Sequence, residues 1–289
     1  MIINKVLQQK IGSISNLPTL PQLSMQLMNV VNDKTSSAAD VTAIISQDIS
    51  LSAKILRLAN SAFYGIPRTV TNINSAVVIL GMKVIQTLVL SLTVFDMFPT
   101  DNGKFDRKSF WRHCLECGFL ARLLSERVML KRIDPDDAFC AGLLHDIGKI
   151  VMEQYLHQDF QSALLYSSAS RLPAVEAEQK KLSYTHSDVS QLLLREWELP
   201  APLTQSIVLH HNPDEAEECR EIVYLIHLAD HVLYRQRQEK EEEIALPPLS
   251  DNCMNVLDLS DIDIVLALQQ FGDEMAKMDV FYSFLERDN

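Results

Sequence analysis

The stretch of this chain that says most about its fold is Gly142-Leu143-Leu144-His145-Asp146-Ile147-Gly148-Lys149. It ends an apolar run of helical spacing on a histidine–aspartate pair. Gly148 permits another backbone to approach closely, and Lys149 follows His145 by about one helical turn. The pattern predicts a helix from Asp136 to Tyr155 in which polar residues lie among apolar ones.

The rest of the chain also has a helical pattern. Only 8 glycines occur, and apolar residues recur at spacings of three and four rather than in alternation. Ser37 and Asp48 precede such runs as capping residues, and Gly65-Ile66-Pro67 ends one of them. The sequence therefore predicts an all-α protein. Further helices are expected near 75–80 and 84–98 and at Arg107–Lys131, His186–Trp197, Ala201–His211, Glu217–Arg237 and Asp261–Leu285.

Turn-forming and charged stretches indicate where the chain divides. Pro99-Thr100-Asp101-Asn102-Gly103 follows an apolar helix, and residues 236–243 are crowded with charge. We therefore expect an N-terminal helical half over residues 1–103, a second helical half over residues 104–237, and a charged connection with a closing helix over residues 238–289.

Composition limits the partners and the compartment. The formal net charge of −12 gives nucleic acid and anionic membranes no bulk attraction, so we expect neither as a partner. The apolar run Val84–Phe95 is shorter than the roughly 20 residues of a membrane-spanning helix, and no secretion signal is visible. The five cysteines follow no disulfide spacing, and we expect Cys114 and Cys117 to be packing residues. These features predict a cytoplasmic protein with free thiols.

Imidazoles and carboxylates concentrate in the second half of the chain. Together these groups suit Fe, Mn, Zn or similar divalent ions, and adjacent residues on a helix, about 100° apart, can approach one ion from two sides. The candidate metal ligands are His113, His145, Asp146, His186, His210, His211 and Asp230. On a helix, His210 and His211 would point in different directions, so we do not expect both to bind the same ion.

The sequence resembles the HDOD domain, a relative of the HD superfamily of metal-dependent phosphohydrolases. The stretch around His145-Asp146 is similar to the HD signature. Asn60-Ser61-Ala62-Phe63-Tyr64-Gly65 is similar to the N-terminal part of an HDOD domain, and His210-His211-Asn212-Pro213 is similar to a later part. The resemblance spans roughly Leu17 to Tyr234. One departure is Ile49, where the family usually has proline.

The resemblance implies a set of ligands for one or two divalent transition metal ions. One ion would be held by His113, His145, Asp146 and Asp230. Asp146 would bridge to a second ion, which His186 and either His210 or His211 would hold.

The same resemblance implies a chemistry. Two neighbouring ions would activate water and polarise a phosphoryl group, and Lys149 would contact the phosphate, which makes Asp146 and Lys149 the candidate catalytic residues. The related HD-GYP phosphodiesterases continue after the histidine with a glutamate and a later Gly-Tyr-Pro. This chain continues with Asn212-Pro213-Asp214-Glu215, so cyclic di-GMP hydrolysis loses its sequence support.

HDOD proteins are all-helical signalling or output modules. The resemblance therefore implies a multi-helix HD-like bundle with an N-terminal helical subdomain packed on it, in a cytoplasmic regulatory protein that binds metal and has a protein partner in a signalling pathway. The alternative is an active phosphohydrolase, with a phosphomonoester or phosphodiester as its small-molecule substrate. A third hypothesis is a metal-free interaction scaffold with structural histidines.

Overall fold

The structure is a computed structural model of the chain and describes residues 7, 10, 18–61, 64–98, 105–128, 133–239 and 245–287, with only the backbone at 275–276 and 283–287. Over these residues it is helical and has no strands, so the predicted all-α fold is confirmed. Several predicted features lie outside the described residues: Ala62 and Phe63 of the N-terminal motif, the boundary Pro99–Gly103, the predicted helix end at Lys131, and residues 240–243 of the charged connection.

Among the residues that the structure describes, the N-terminal part has five helices, some of which begin at a capping residue. Ser37 begins the second helix, where its backbone N–H donates to Asp40 Oδ2 at 2.8 Å. Asp48 begins the third, and its Oδ1 accepts from Leu51 N at 2.9 Å. The helices are α1 (Gln22–Asn32), α2 (Ala38–Ile45), α3 (Ile49–Ala59), α4 (Ile73–Leu80) and α5 (Met82–Met97).

The remaining described helices follow along the chain. They are α6 (Arg107–Ser125), α7 (Pro135–Leu144), α8 (Ile147–Tyr155), α9 (His157–Ser170), α10 (Ala174–Leu182), α11 (His186–Trp197), α12 (Ala201–Leu209), a 3₁₀ helix (Pro213–Glu215), α13 (Arg220–Gln238), α14 (Cys253–Leu257) and α15 (Asp261–Arg287). The predicted helix His186–Trp197 has the bounds of α11. The predicted helix beginning at Arg107 ends at Ser125, earlier than expected.

The predicted continuous helix Asp136–Tyr155 is wrong, because the chain breaks it into α7 and α8 at His145 and Asp146. At the break, His145 Nδ1 donates to Gly142 O at 2.7 Å. Asp146 then has φ −99° and ψ 12°, outside the helical range. The break therefore sets the histidine and the aspartate in a turn between two helices.

The chain forms two compact units, each with its own core. One unit comprises Thr19–Asn102 and Gly272–Asn289, and the other comprises Met1–Pro18 and Gly103–Phe271. Fully buried side chains in the first include Leu27, Ile45, Ile55 and Ile85; those in the second include Phe160, Tyr184, Trp197 and Tyr224. Each large apolar side chain that is buried in this way stabilises its unit by about 1.5–3 kcal/mol.

No single helix of the described part of the chain is long and apolar enough to cross a membrane. By length and composition, α4 and α5 pass that test only as a pair that is bent by 115°.

Candidate metal centre

Two glycines bring α6 and α7 into backbone contact. A Cβ atom on Gly142 would lie 2.7 Å from Gly118 Cα, and a Cβ on Gly118 would lie 2.7 Å from Phe139 O. Only glycine fits at such a crossing. As a result, His113 on α6 lies beside His145 at the end of α7, with their ring centroids 5.1 Å apart.

Gly148 has the same role between α8 and α11. A Cβ on Gly148 would lie 1.9 Å from His186 O, which no side chain could tolerate. The Gly148 backbone N–H also donates to Ser190 Oγ at 2.9 Å. The close approach that the sequence suggests for Gly148 therefore places the start of α11, and with it His186, against the Asp146 turn.

The first histidine–aspartate group consists of His113, His145 and Asp230, all buried. Asp230, on α13, has its Oδ1 3.0 Å from His113 Nε2 and 3.5 Å from His145 Nε2. Asp146 Oδ2 faces the same two imidazoles, at 3.3 Å from His145 Nε2 and 3.7 Å from His113 Nε2. Four side chains from three separate parts of the chain thus surround one point.

The second group consists of Asp146, His186, His210 and His211, with one ligand atom from each lying within 4.8 Å of the others. Asp146 Oδ1 is 3.3 Å from His186 Nε2 and 3.7 Å from His210 Nε2. The two oxygens of Asp146 therefore face two different groups of imidazoles. This is the arrangement expected of a carboxylate that two ions share.

His210 and His211 both belong to the second group, contrary to the expectation that they point in different directions. His211 Nε2 lies 3.1 Å from His186 Nε2, and the rings of His210 and His211 have centroids 4.0 Å apart. The reason is that α12 ends at Leu209, so helical geometry does not separate the two side chains.

The polar atoms at this centre fit a metal ion. Buried ring nitrogens and carboxylate oxygens normally have hydrogen-bond partners. Among the described residues, several that face the centre make no hydrogen bond of acceptable geometry, although His113 Nε2 and Asp230 Oδ1 are 3.0 Å apart: His113 Nε2, His145 Nε2, His210 Nε2, Asp146 Oδ1 and Asp230 Oδ1. Their donor set, imidazole nitrogen with carboxylate oxygen, suits Fe, Mn or Zn.

Hydrogen bonds on the far side of the imidazoles orient them toward the centre. His145 Nδ1 donates to Gly142 O at 2.7 Å, and His210 Nδ1 donates to Ile207 O at 2.8 Å. His186 Nδ1 donates to Glu178 Oε2 at 2.7 Å, and the His186 backbone N–H donates to the same oxygen at 2.8 Å. In each ring Nε2 is left to face the centre, as in metal-binding histidines.

Glu178 was not found by sequence reasoning. It lies on α10, a helix that the sequence pattern did not predict, and it is 1% exposed. No fixed spacing relates it to the histidine–aspartate pair. The only signal in the sequence is an acidic residue eight positions before His186, and this is too common to be informative.

Burial and neighbouring charges both shift the pKa values of the groups at this site. Burial lowers the pKa of His210 to about 3, and the positive charge of His145 adds to the effect. Burial also disfavours a charged His145, but the Asp146 carboxylate outweighs it and raises the pKa of His145 well above its usual value. For Asp146 burial favours the neutral acid, yet Lys149 and His145 hold its pKa well below the usual range. Asp146 is therefore ionised, as a metal ligand must be.

Lys149 lies at the edge of the centre. Its Nζ is 2.6 Å from Asp146 Oδ2, and its side chain is 10% exposed. It also borders a cavity of about 380 Å³ that reaches His113 and Asp146 and is otherwise lined by residues such as Phe105 and Tyr234. Sequence reasoning did not identify this cavity, because its walls come from distant helices.

The remaining histidines and the cysteine pair are outside the two groups. His227 Nδ1 donates to His210 O at 2.6 Å, and its Nε2 accepts from Ser250 N at 3.0 Å, so it supports the backbone at His210. His157 Nδ1 contacts Glu153 O at 3.3 Å. Cys114 and Cys117 are buried free thiols, and burial raises the pKa of both.

Comparisons with solved structures agree with this fold. An "HDOD domain protein with unknown function" from Geobacter sulfurreducens is 22% identical, with 97% of each chain covered and a TM-score of 0.79. A "Putative phosphohydrolase" from Shewanella amazonensis SB2B is 24% identical, with 97% of this chain and 98% of that chain covered and a TM-score of 0.74. A "Putative signal transduction protein" from Marinobacter aquaeolei VT8 is 20% identical, with 99% and 63% covered and a TM-score of 0.78.

Sequence comparison extends the similarity. An "Uncharacterized protein" of Treponema pallidum (strain Nichols) is 24% identical over 218 residues, which are 75% of this chain, and the match spans 42% of that relative's length. The HDOD domain family matches residues 17–213. This match includes the Asp146 turn and all candidate ligands except Asp230, and the chain therefore belongs to the HDOD domain family.

Proposed function

We infer that this HDOD protein binds two divalent transition metal ions at its paired histidine–aspartate groups and that the resulting centre hydrolyses a phosphate ester. The observation that carries this proposal is the position of Asp146, whose two carboxylate oxygens face separate sets of imidazoles. A carboxylate that is shared between two sets of ligands can hold two ions at the short separation found in two-metal sites.

Each of the two groups of residues would hold one ion. His113, His145 and Asp230 would hold one ion, and His186, His210 and His211 would hold the other, with Asp146 common to both. When bound, such a pair of ions polarises a phosphoryl group and acidifies water. Glu178 would keep the His186 ring in the orientation that presents Nε2.

Lys149 would contribute a positive charge to substrate binding. Its ammonium group lies at the Asp146 carboxylate and borders the cavity, so it can contact a phosphoryl oxygen that enters from that side. A point charge on a flexible stem is suited to this role. Since the protein has a net charge of −12, such local positive charge is what would retain an anionic ligand.

The test is hydrolysis by the metal-loaded protein. Wild type, His145→Ala and Asp146→Ala are compared on nucleotides, cyclic dinucleotides and simple phosphodiesters, with Mn²⁺, Fe²⁺ or Zn²⁺ supplied. The proposal predicts that both variants lose at least about a hundredfold in kcat/KM, because each lacks a ligand of the centre. Equal rates in the three proteins would show that the observed hydrolysis does not belong to this site.

Signal transduction through a protein partner is a second candidate function. It is favoured by three exposed apolar side chains in the unit that contains Thr19–Asn102: Ile49 is 86% exposed, Val78 66% and Ile79 53%. The fold similarity to a "Putative signal transduction protein" gives it further support. In this proposal the protein is cytoplasmic and its partner is another protein rather than nucleic acid or a membrane.

Affinity capture tests this second candidate. A specific signalling protein that binds the wild type should bind Val78→Asp less tightly by about tenfold or more, since a charge would be buried in the interface. His157→Ala, a change elsewhere on the surface, should not alter binding. Equal capture by wild type and Val78→Asp would contradict docking at this surface.

A further inference from the structure

A cavity of about 380 Å³ lies beside the candidate metal centre, within the unit that contains Gly103–Phe271. Its polar lining includes His113, Asp146 and Lys149. Because Asp146 and His113 belong to the two histidine–aspartate groups, a molecule in this cavity would lie against the ions that those groups hold. The cavity is therefore positioned to take the ligand on which the centre acts.

Part of the cavity lining is aromatic. The Phe105 ring packs against Phe110 with centroids 5.5 Å apart and against Phe160 with centroids 5.3 Å apart at an edge-on angle of 67°. Phe110 and Phe160 are buried, whereas Phe105 is half-buried, and all three line the cavity. Aromatic rings that line a cavity favour another flat ring packed against them, offset or edge to face.

A polar group on the wall also lacks a partner. Gln161 Nε2 is buried and, among the described residues, has no hydrogen-bond partner, although Gln161 lines the cavity. A buried amide N–H without a hydrogen-bond partner reduces the stability of the folded protein. The side chain is thus in place to donate to an acceptor atom on a ligand.

We propose that this cavity binds a small phosphomonoester that carries a planar ring, with its phosphoryl group at Lys149 and the metal centre and its ring among Phe105, Phe110 and Phe160. The inference rests on the proposed function, because it names the substrate class of the same centre. At about 380 Å³ the cavity is near the small end of the range of ligand pockets. This size suits one ring and one phosphoryl group better than a dinucleotide.

The experiment compares two probes that share a head group and cannot be hydrolysed as esters, phenylphosphonate and methylphosphonate. Their binding to the full-length, Mn²⁺-loaded protein is measured by titration calorimetry. The proposal predicts that phenylphosphonate binds about tenfold or more tightly than methylphosphonate, because its ring is removed from water in the aromatic part of the cavity.

Two variants assign the effect to this cavity. Phe105→Ala removes one wall, and Leu164→Trp fills space that Leu164 borders; each should reduce the preference for phenylphosphonate over methylphosphonate severalfold. Leu165→Trp is the matched control, because Leu165 is the next residue on α9 and is 71% exposed. It should behave as wild type. Using two variants guards against one of them failing to fold.

The outcomes separate this inference from the proposed function. If methylphosphonate binds the metal-loaded protein but phenylphosphonate binds no better, the centre accepts a phosphoryl group and the ring site is wrong. If phenylphosphonate is preferred but Phe105→Ala and Leu164→Trp retain the preference, the ring binds elsewhere and the inference is also overturned. If neither probe binds although Mn²⁺ does, both the inference and the proposed function fail.

Discussion

Asp146 is the residue on which the arrangement of the centre depends. It follows His145 in a turn rather than in a helix, and its two oxygens face different imidazoles, His145 on one side and His186 on the other. Other ligands belong to one group only. Glu178 is important in an indirect way, because it accepts one hydrogen bond from the His186 ring and another from the His186 backbone N–H.

Replacing Glu178 by alanine should weaken metal binding. The change removes the acceptor that holds His186 Nδ1–H, so the ring loses its fixed orientation, and we expect the affinity for the ion to fall about 10–100-fold. Competition with a chromogenic chelator measures this. Glu176→Ala is the matched control, since Glu176 lies on the same helix with its side chain 43% exposed. Equal affinities in the two variants would refute a positioning role for Glu178.

Asp214 should make a contribution to stability that depends on pH. Its carboxylate accepts from Tyr224 Oη at 2.6 Å, from Asn252 Nδ2 at 2.7 Å and from Ser250 Oγ at 2.9 Å. The hydrogen bonds, that of Tyr224 foremost, lower the pKa of Asp214 below its ordinary value. Folding therefore favours the ionised form, and its stabilisation is complete above about pH 4 and is lost as the pH falls through the lowered pKa.

The variant Asp214→Asn isolates this effect. At pH 7 it should unfold with a free energy up to about 1 kcal/mol below that of wild type, because a charged acceptor at a solvent-exposed position is replaced by a neutral amide. The difference should shrink as the pH is lowered toward 2. Urea denaturation at several pH values measures both proteins side by side, and a difference that stays constant with pH would contradict this assignment.

At the scale of helices, features that depend on neighbouring residues could be predicted from the sequence. Features that depend on contacts with distant residues could not. Ser37 and Asp48 cap α2 and α3 as expected, because a cap depends on neighbours three residues away. The helices α9 and α10 were not predicted, since α9 buries only Phe160 and Ala163 and so has little apolar periodicity. No proline marks the break at His145. Gly148, the glycine that follows the break, lies inside α8.

The candidate site, too, could be predicted from the sequence only in part. The histidine–aspartate residues could be named from the sequence because their order resembles the HDOD pattern. That both His210 and His211 reach one point could not be predicted, because it depends on α12 ending at Leu209. The cavity beside Lys149 could not be predicted either, since α6, α9 and α13 each contribute to its walls and their approach is set by tertiary packing.

Gly148→Ala tests whether the close packing of α8 on α11 builds the site. The added Cβ would lie 1.9 Å from His186 O, so the two helices must separate, and we expect a loss of about 3 kcal/mol in the free energy of unfolding together with weaker metal binding. Gly272→Ala is the control, because nothing lies within 4 Å of the added atom. In a helix it should stabilise by about 0.5–1 kcal/mol.

The outcome that contradicts this view is specific. If Gly148→Ala retains the stability of wild type and its metal affinity, the contact between Gly148 and His186 does not position the ligand. A loss of stability in Gly272→Ala similar to that in Gly148→Ala would mean that the cost lies in substituting a helical glycine, rather than in the crossing of α8 and α11.

At the scale of the whole molecule, the centre connects distant parts of one unit. Its ligands come from α6, the Asp146 turn, α11, the end of α12, and α13, so residues 113 to 230 converge on one place. Ions bound there would link these elements together and should stabilise the folded state in proportion to their affinity. All of these ligands lie in the unit that contains Gly103–Phe271.

The number of metal ions bound by each chain tests the central claim most directly. The protein is loaded with Mn²⁺ and freed of excess, and its metal content is measured by elemental analysis for wild type, His113→Ala, His186→Ala and the control His157→Ala. We predict about two ions for wild type and control and about one for each of the other variants, because each removes a ligand of one group. A wild-type content below about a tenth of an ion, or two ions retained in both ligand variants, would contradict the account.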